Sequence, residues 1–200
     1  MSVEFVTQIN EFLDKSVFYL KPWSEALGIL WCINILNWVS GSWLNLLGIN
    51  PRHLFGLVGI VFSPFLHRNF THLLFNSIPL FFLGLALLVS DGTTQFCFIT
   101  AVIMLIGGFA VWLFARKGLH IGASGVISGY FGFILVSAFT QPSFMTLITA
   151  VLAVYYFGGI FSGIFPQEKQ TSWESHLFGF IAGILCAFIP SSFLYMIHLQ

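Results

Sequence analysis

Long apolar runs separated by short polar breaks are the dominant pattern of this chain. Six runs approach the roughly 20 residues that a membrane-spanning helix requires. They cover residues 23–42, 71–90, 96–115, 121–139, 143–165 and 176–194. Asp91-Gly92 and Gln141-Pro142 mark two of the short breaks. The pattern predicts an all-α polytopic membrane protein with six transmembrane helices, numbered here 1 to 6 in chain order.

Residues 43–70 do not fit the six-run pattern. This segment mixes prolines, arginines and histidines with apolar stretches, and the stretch 54–62 is too short to cross a bilayer. A long connection without a spanning helix is usually functional. We expect a re-entrant or interfacial loop that is partly embedded in the membrane between helices 1 and 2.

The first 22 residues carry charges of both signs, including Glu11, Asp14 and Lys15. A signal peptide would instead begin with basic residues followed by an apolar core. The sequence therefore predicts an amphipathic amino-terminal segment over 1–22, lying on the membrane, followed by a single membrane domain over 23–195.

Composition agrees with a membrane location and excludes several functions. Only 7% of the residues are charged, against about 25% in a typical soluble domain, and mean hydropathy is +0.94. Seven basic and seven acidic residues leave no basic surface for nucleic acid. The three cysteines stand singly, without metal-binding spacing. We expect no cofactor and no metal.

Polar residues stand near the start of three different runs. They are Ser124 in the sequence Gly122-Ala123-Ser124-Gly125, His176, and the pair His72 and Asn76. His72 and Asn76 are four residues apart and so share a helix face. Because a polar residue in a membrane segment is costly, each is a candidate functional residue.

Small residues predict how helices 4 and 6 pack. Glycines allow the backbones of membrane helices to approach closely. On helix 6 they share a face with His176, and on helix 4 they lie beside Ser124. They are Gly179 and Gly183 on helix 6, and Gly125, Ser128, Gly129 and Gly132 on helix 4. Both helices begin on the same side of the membrane, so packing through these faces would bring His176 near Ser124.

Such an arrangement could form a hydrolytic site. A serine hydroxyl becomes a useful nucleophile when a histidine takes its proton. His72, Asn76 and the Ser124 amide could donate hydrogen bonds to the oxyanion. Helices 2 to 6 contain no Asp or Glu, and Glu174 lies two residues before His176, in a loop or the first turn. We therefore expect a dyad. Each residue alone also has a purely structural reading, since serine and asparagine often join membrane helices.

Taken together, these motifs resemble the rhomboid intramembrane serine proteases, in particular the minimal six-helix bacterial type. The matching pieces are His67, His72-x-x-x-Asn76, Gly122-Ala123-Ser124-Gly125 and His176-x-x-Gly179-x-x-x-Gly183. The resemblance implies Ser124 as nucleophile, His176 as base, and His72, Asn76 and the Ser124 amide as the oxyanion site. It also implies that His67 supports the first loop and that residues 166–175 belong to a substrate gate.

The chain departs from the family pattern at two positions. Ser128 stands where many rhomboids have an aromatic residue that packs on the catalytic histidine. Pro51-Arg52-His53 stands where many have a Trp-Arg pair. The orientation of His176 and the role of Arg52 therefore remain open.

The resemblance also implies a multi-pass protein of the bacterial inner membrane, with a cytoplasmic amino terminus and an active site open to the outside. The charges favour the reverse orientation. Five cationic residues fall on the side of Ser124 and two on the other, and cationic loops usually stay in the cytoplasm. The motif match is the stronger guide.

The predicted function is cleavage of transmembrane segments in other membrane proteins, with those proteins and membrane lipid as partners. Two other classes remain as alternatives. One is a catalytically inactive rhomboid-like protein that binds membrane clients. The other is a small transporter, although the chain has no evident inverted repeat.

Overall fold

A computed structural model describes residues 3–165 and 172–189. Within these residues the regular structure is helical, and the prediction of an all-α fold is confirmed at that level. The eight α-helices are α1 (Val3–Val39), α2 (Gly59–Phe62), α3 (Phe70–Val102), α4 (Gly108–Phe114), α5 (Ser124–Thr140), α6 (Phe144–Phe157), α7 (Ile160–Gly163) and α8 (Trp173–Ala187).

Helix α1 runs through the predicted boundary at residue 22 without a break, although Pro22 lies inside it. Predicted helix 1, residues 23–42, is therefore not a separate helix: its residues 23–39 form the second half of a 37-residue helix. Whether the first half lies on a membrane surface stays a prediction.

Predicted helices 2 and 3 are the two halves of one apolar segment that reverses at Gly92. The backbone there is non-helical, with φ 78° and ψ 170°. The Trp23 indole shows the reversal, because its N–H donates to the Phe81 carbonyl at 3.0 Å and its ring contacts Phe96. In a straight helix Phe81 and Phe96 would lie roughly 22 Å apart. The second half continues from α3 through a π-helical segment, Ile103–Gly107, into α4.

Predicted helix 5, residues 143–165, forms two helices in the structure rather than one. Helix α6 ends at Phe157, and the short helix α7 follows after Gly158 and Gly159. Consecutive glycines weaken a helix because they lose the most conformational freedom on ordering. At its other end α6 begins with a capping box formed by Ser143 and Thr146.

The segment between α1 and α3 folds into short helical pieces packed against the second half of the hairpin. Besides α2 it contains the 3₁₀ helices Trp43–Leu47, Leu54–Leu57 and Ser63–Phe65. A methyl group at Gly108 would lie 2.9 Å from Ile60 of α2, so α2 and α4 are in close contact. Ile49 and His120 form an isolated antiparallel bridge that ties this segment to the connection between α4 and α5.

Helices α5 and α8 lie parallel and share the tightest backbone contact of the bundle. A side chain at Gly179 would collide with the Gly125 carbonyl, and one at Gly183 with the Gly129 carbonyl. The spacing of four residues on both helices sets their register. The two helices therefore start at the same end of the molecule, at Ser124 and Trp173.

Large apolar side chains cover much of the outer surface. Among them, Phe139 is 85% exposed, Tyr155 79% and Leu36 68%. Among the described residues, one segment, Phe70–Phe114, which includes the reversal at Gly92, passes the length and hydropathy test for a membrane span. Helices α5, α6 and α8 are shorter apolar helices. Exposed apolar patches larger than a few hundred Å² usually mark an interaction surface or a membrane contact.

Candidate active site

The candidate site lies where α3, α5 and α8 begin. Asn69 caps α3 by accepting a hydrogen bond from the His72 amide at 2.9 Å. One turn after His72, Asn76 is buried, and its Nδ2 has no hydrogen-bond partner among the described residues. A buried amide group without a partner is rare and requires an explanation.

Gly122 brings the connection before α5 against His72 and Asn76. Its φ of 121° is a conformation that favours glycine. A methyl group at this position would lie 2.7 Å from His72 Nε2 and 3.3 Å from Asn76 Nδ2. Any side chain here would therefore occupy the space that these two groups face. The structure brings together Gly122, His72 and Asn76, three residues singled out from the sequence.

His72 presents Nε2 as its free donor. The Arg68 amide points at His72 Nδ1 at 3.5 Å, so Nδ1 acts as the acceptor. In a neutral imidazole the other nitrogen, Nε2, then carries the proton. This is the nitrogen that lies against Gly122.

His67 contacts the backbone just before Ser124. The Ala123 N–H donates to His67 Nε2 at 3.3 Å, and the two histidine rings His67 and His72 meet edge to face at 5.1 Å. Burial, with a smaller effect of His72, lowers the pKa of His67 to about 3. His67 therefore stays neutral at physiological pH, as an acceptor at Nε2 must.

Two residues of α1 fix His67, and the sequence analysis did not assign either of them. The Asn34 side chain accepts from the His67 N–H at 2.7 Å and donates to the Phe65 carbonyl at 2.9 Å. The Trp38 indole donates to the His67 carbonyl at 2.9 Å. Asn34 could have been singled out from the sequence, because it is a polar residue inside an apolar run and such residues usually face a polar partner.

His176 lies in the first turns of α8 and hydrogen-bonds to a residue that the sequence analysis missed. Its Nδ1 donates to the Gly163 carbonyl at 2.9 Å. A carbonyl only accepts, so Nδ1 carries the proton and Nε2 is left as a potential base. Gly163 is the last residue of α7, which follows the break at Gly158-Gly159. Gly163, rather than an aromatic residue at position 128, thus orients His176.

Ser124 and His176 are both half-buried. They lie at the same end of the two parallel, contacting helices α5 and α8. Their chain neighbours are in contact, because a methyl group at Gly125 would lie 3.1 Å from the Ser175 carbonyl oxygen. Among the described residues, no hydrogen bond joins the Ser124 hydroxyl to His176. Hydrogen bonds between catalytic groups often tighten only when substrate binds. Because Ser124 is the first residue of α5, its backbone N–H has no intrahelical carbonyl to which it could donate a hydrogen bond.

Glu174 is paired with Arg116. It lies in the first turn of α8, is 2% exposed, and accepts from Arg116 Nε at 2.6 Å and Nη2 at 3.3 Å. The sequence placed Glu174 in a loop or first turn but did not predict its partner, which lies 58 residues earlier. Both carboxylate oxygens of Glu174 accept hydrogen bonds from Arg116, and neither is hydrogen-bonded to His176.

Arg52, whose role the sequence left open, stabilises the end of α4. Its guanidinium donates to the Leu113 and Ala115 carbonyls at 3.1 and 2.8 Å, and its own N–H donates to the Trp112 carbonyl. Basic side chains commonly satisfy the last carbonyls of a helix. The geometry gives Arg52 a structural role that ties the first loop to α4.

A cavity borders the site from the side of the first loop. Its walls include Gly122 and Gly125, which flank Ser124, together with Ser175 and His120. Ser124 and His176 themselves do not line it among the described residues. Residues 166–171 of the expected substrate gate lie outside the described residues.

Comparison with known proteins finds the Rhomboid domain family matching residues 53–193. An uncharacterized protein of Mycobacterium tuberculosis is 35% identical over 175 residues, which covers 83% of this chain and 72% of that protein. The Bacillus subtilis protein YdcA, named as a candidate rhomboid protease, is 32% identical over 130 residues, 62% of each chain. RHOMBOID-like protein 4 of Arabidopsis thaliana is 31% identical over 134 residues, 62% of this chain and 32% of that protein.

Proposed function

Because this chain belongs to the rhomboid family, which includes proteases that act within membranes, we propose that it is an intramembrane serine endopeptidase of the bacterial plasma membrane. In this proposal Ser124 is the nucleophile and His176 the general base. The oxyanion site consists of His72, Asn76 and the Ser124 amide. No cofactor or metal takes part.

The observation that carries the proposal is the unsatisfied Asn76 amide facing Gly122 beside His72 Nε2. Both groups are oriented donors without an acceptor in the part of the chain that the structure describes, and both lie beside the backbone that leads into Ser124. An oxyanion formed on a carbonyl attacked by Ser124 would supply the missing acceptor. Such preorganised donors usually contribute the largest single term to catalysis of acyl transfer.

The state of His176 supports its role as base. The Gly163 carbonyl holds the proton on Nδ1 and leaves the lone pair of Nε2 available. Nε2 would take the proton from the Ser124 hydroxyl as that oxygen attacks, and would then give it to the leaving amine. Since Glu174 is committed to Arg116, a dyad fits the geometry better than a triad.

A membrane location fits the length of the helices and the surface of the bundle. The segment 70–114 would measure roughly 68 Å if straight, more than twice the hydrocarbon thickness of a bilayer. The reversal at Gly92 divides it into two lengths that each suit one crossing. Together with the second half of α1, α5, the α6–α7 segment and α8, these make the six proposed spans. Leu54, which is 82% exposed, would contact lipid from the embedded first loop.

The proposed substrates are transmembrane segments of other membrane proteins. A helix hides its carbonyls in hydrogen bonds, so the substrate must partly unwind before Ser124 can attack. The half-buried starts of α5 and α8 provide a polar place for this to occur. A transporter would instead need a binding site between repeated halves of the chain.

Two serines on the same helix provide the test. Ser124→Ala should abolish cleavage of a transmembrane substrate and labelling by a fluorophosphonate, because no nucleophile remains. Ser128→Ala should retain substantial activity, since the Ser128 hydroxyl is buried without a partner among the described residues. Both assays use detergent-solubilised protein and are normalised to folded molecules.

A Ser124→Ala protein that cleaves at a comparable rate would show that the assignment is wrong. Wild-type protein that neither cleaves nor labels, yet still captures membrane-protein clients, would favour the inactive client-binding alternative.

A further inference from the structure

Five residues near the site form a hydrogen-bond network that the roles above do not use. We name it the His120 network: His120, Arg116, Ser172, Glu174 and Ser175. It joins the connection between α4 and α5 to the first turn of α8. None of the five carries a role in the reaction as proposed above.

One branch of the network passes through side-chain hydroxyls. His120 Nδ1 lies 2.5 Å from Ser172 Oγ, which lies 2.6 Å from Ser175 Oγ. His120 Nε2 lies 3.0 Å from the Arg116 carbonyl, which only accepts, so Nε2 carries the proton and Nδ1 accepts from Ser172. The Ser175 hydroxyl then donates to Ser172.

The other branch is the ion pair of Arg116 and Glu174. The guanidinium of Arg116 is about half-exposed, while the Glu174 side chain is buried. The Arg116 N–H also points at Glu174 Oε1 at 3.3 Å. Arg116 and residues 172–175 are therefore joined twice, once through charge and once through His120.

The network joins the backbone just before Ser124 to the backbone just before His176. His120 precedes Ser124 by four residues, and Ser175 immediately precedes His176. The His120 backbone also forms both hydrogen bonds of the bridge to Ile49, at 2.9 and 3.0 Å, which restrains it from the opposite side. A displacement of the α8 start relative to this connection would change the separation of Ser124 and His176.

We propose that the His120 network is a positioning device that sets the separation of His176 from Ser124. This proposal rests on the proposed function. Since Ser124 and His176 are not directly hydrogen-bonded here, their separation depends on the contacts around them. A misplacement on the order of 1 Å at such a pair can lower the rate by about 100-fold.

Ser172→Ala breaks the hydroxyl branch with the smallest change of shape. We expect kcat to fall about 10- to 100-fold, the fluorophosphonate labelling rate to fall by a similar factor, and KM to stay nearly unchanged. Ser172→Thr keeps the hydroxyl and should restore both rates. Ser24→Ala is the matched control, because that hydroxyl bonds only within α1, to the Leu20 carbonyl.

His120→Ala removes the other end of the same branch and gives an independent measurement. If the branch acts as a unit, the double variant should be no slower than the slower single variant. Rates are expressed per folded molecule, so a variant that folds poorly still reports on the chemistry of its folded fraction.

The outcomes separate the two proposals. Ser172→Ala protein with normal kcat and labelling per folded molecule, but a lower melting temperature, would reduce the network to a structural role and overturn the inference alone. Additive losses in the double variant would contradict a single linked branch. Wild-type protein without cleavage or labelling would overturn the proposed function, and this inference with it.

Discussion

At the scale of single residues, the candidate site combines groups with fixed proton positions. The Gly163 carbonyl fixes Nδ1–H on His176, and the Arg68 amide favours Nε2–H on His72. One imidazole is thereby prepared as a base and the other as a donor. Sequence motifs identify both histidines but not their tautomers, because the deciding partners are backbone groups.

The oxyanion donors should affect turnover more than binding. Asn76→Ala and His72→Ala are each expected to lower kcat by about 10²–10³, with a smaller change in KM, because each donor acts on charge that develops during the reaction. Turnover per folded molecule is the measurement.

A purely structural role for Asn76 and His72 predicts a different result. Both variants would then fold or insert poorly, and the surviving molecules would cleave normally. Trp31→Phe is a useful control, since it removes a hydrogen bond to Ser77 elsewhere on α3.

Glu174 separates a dyad from a triad. Glu174→Gln should have a mild effect, because the amide oxygen can still accept from Arg116 Nε. His176→Ala should lose both cleavage and fluorophosphonate labelling, since nothing would activate the Ser124 hydroxyl. Equal losses in the two variants, measured side by side, would favour a triad.

At the scale of helices, the sequence predicted those features that depend on local pattern. The small-residue faces of α5 and α8 were visible in the spacing of Gly125, Gly129, Gly179 and Gly183, and the reversal was visible at Asp91-Gly92. The break between α6 and α7 was missed because both sides are apolar.

Contacts between residues far apart in the chain could not be predicted from the sequence. Arg52 bonds to carbonyls 61 and 63 residues away, and Asn34 to the His67 amide 33 residues away. No spacing rule links such partners. His120 carried no motif at all, and only the fold places it beside Ser172.

The contact between α5 and α8 should couple stability to activity. Gly183→Leu places a branched side chain against the Gly129 carbonyl, and such overpacking typically costs about 1–3 kcal/mol. We expect a lower melting temperature and also lower kcat, because the helices would separate and move His176 from Ser124.

Leu185→Ala is the matched control two residues along the same helix, where the side chain is 51% exposed. It should change neither quantity appreciably. A Gly183→Leu protein with wild-type turnover would show that the separation of α5 and α8 does not control the reaction.

At the scale of the whole molecule, the polar groups of the site gather at one end of an otherwise apolar bundle. Ser124, His176, Arg116 and Lys117 all lie there, while Gln141 lies at the far end of α5. One end must therefore carry both the cationic loops and the candidate active site. Positive loops favour the cytoplasm for that end, whereas the family resemblance favours the outside.

Cysteine labelling decides between these orientations. Lys117 and Gln141 are both exposed, and each can be replaced by cysteine after the exposed native cysteines, Cys32 and Cys97, are changed to alanine. On intact cells we expect a membrane-impermeant thiol reagent to modify Lys117→Cys and to spare Gln141→Cys. Both should react after lysis, which shows that each thiol is accessible. Because the two positions lie at opposite ends of the bundle, the reverse pattern on intact cells would place Ser124 on the cytoplasmic side. The substrates would then have to present their cleavage sites at that face of the membrane.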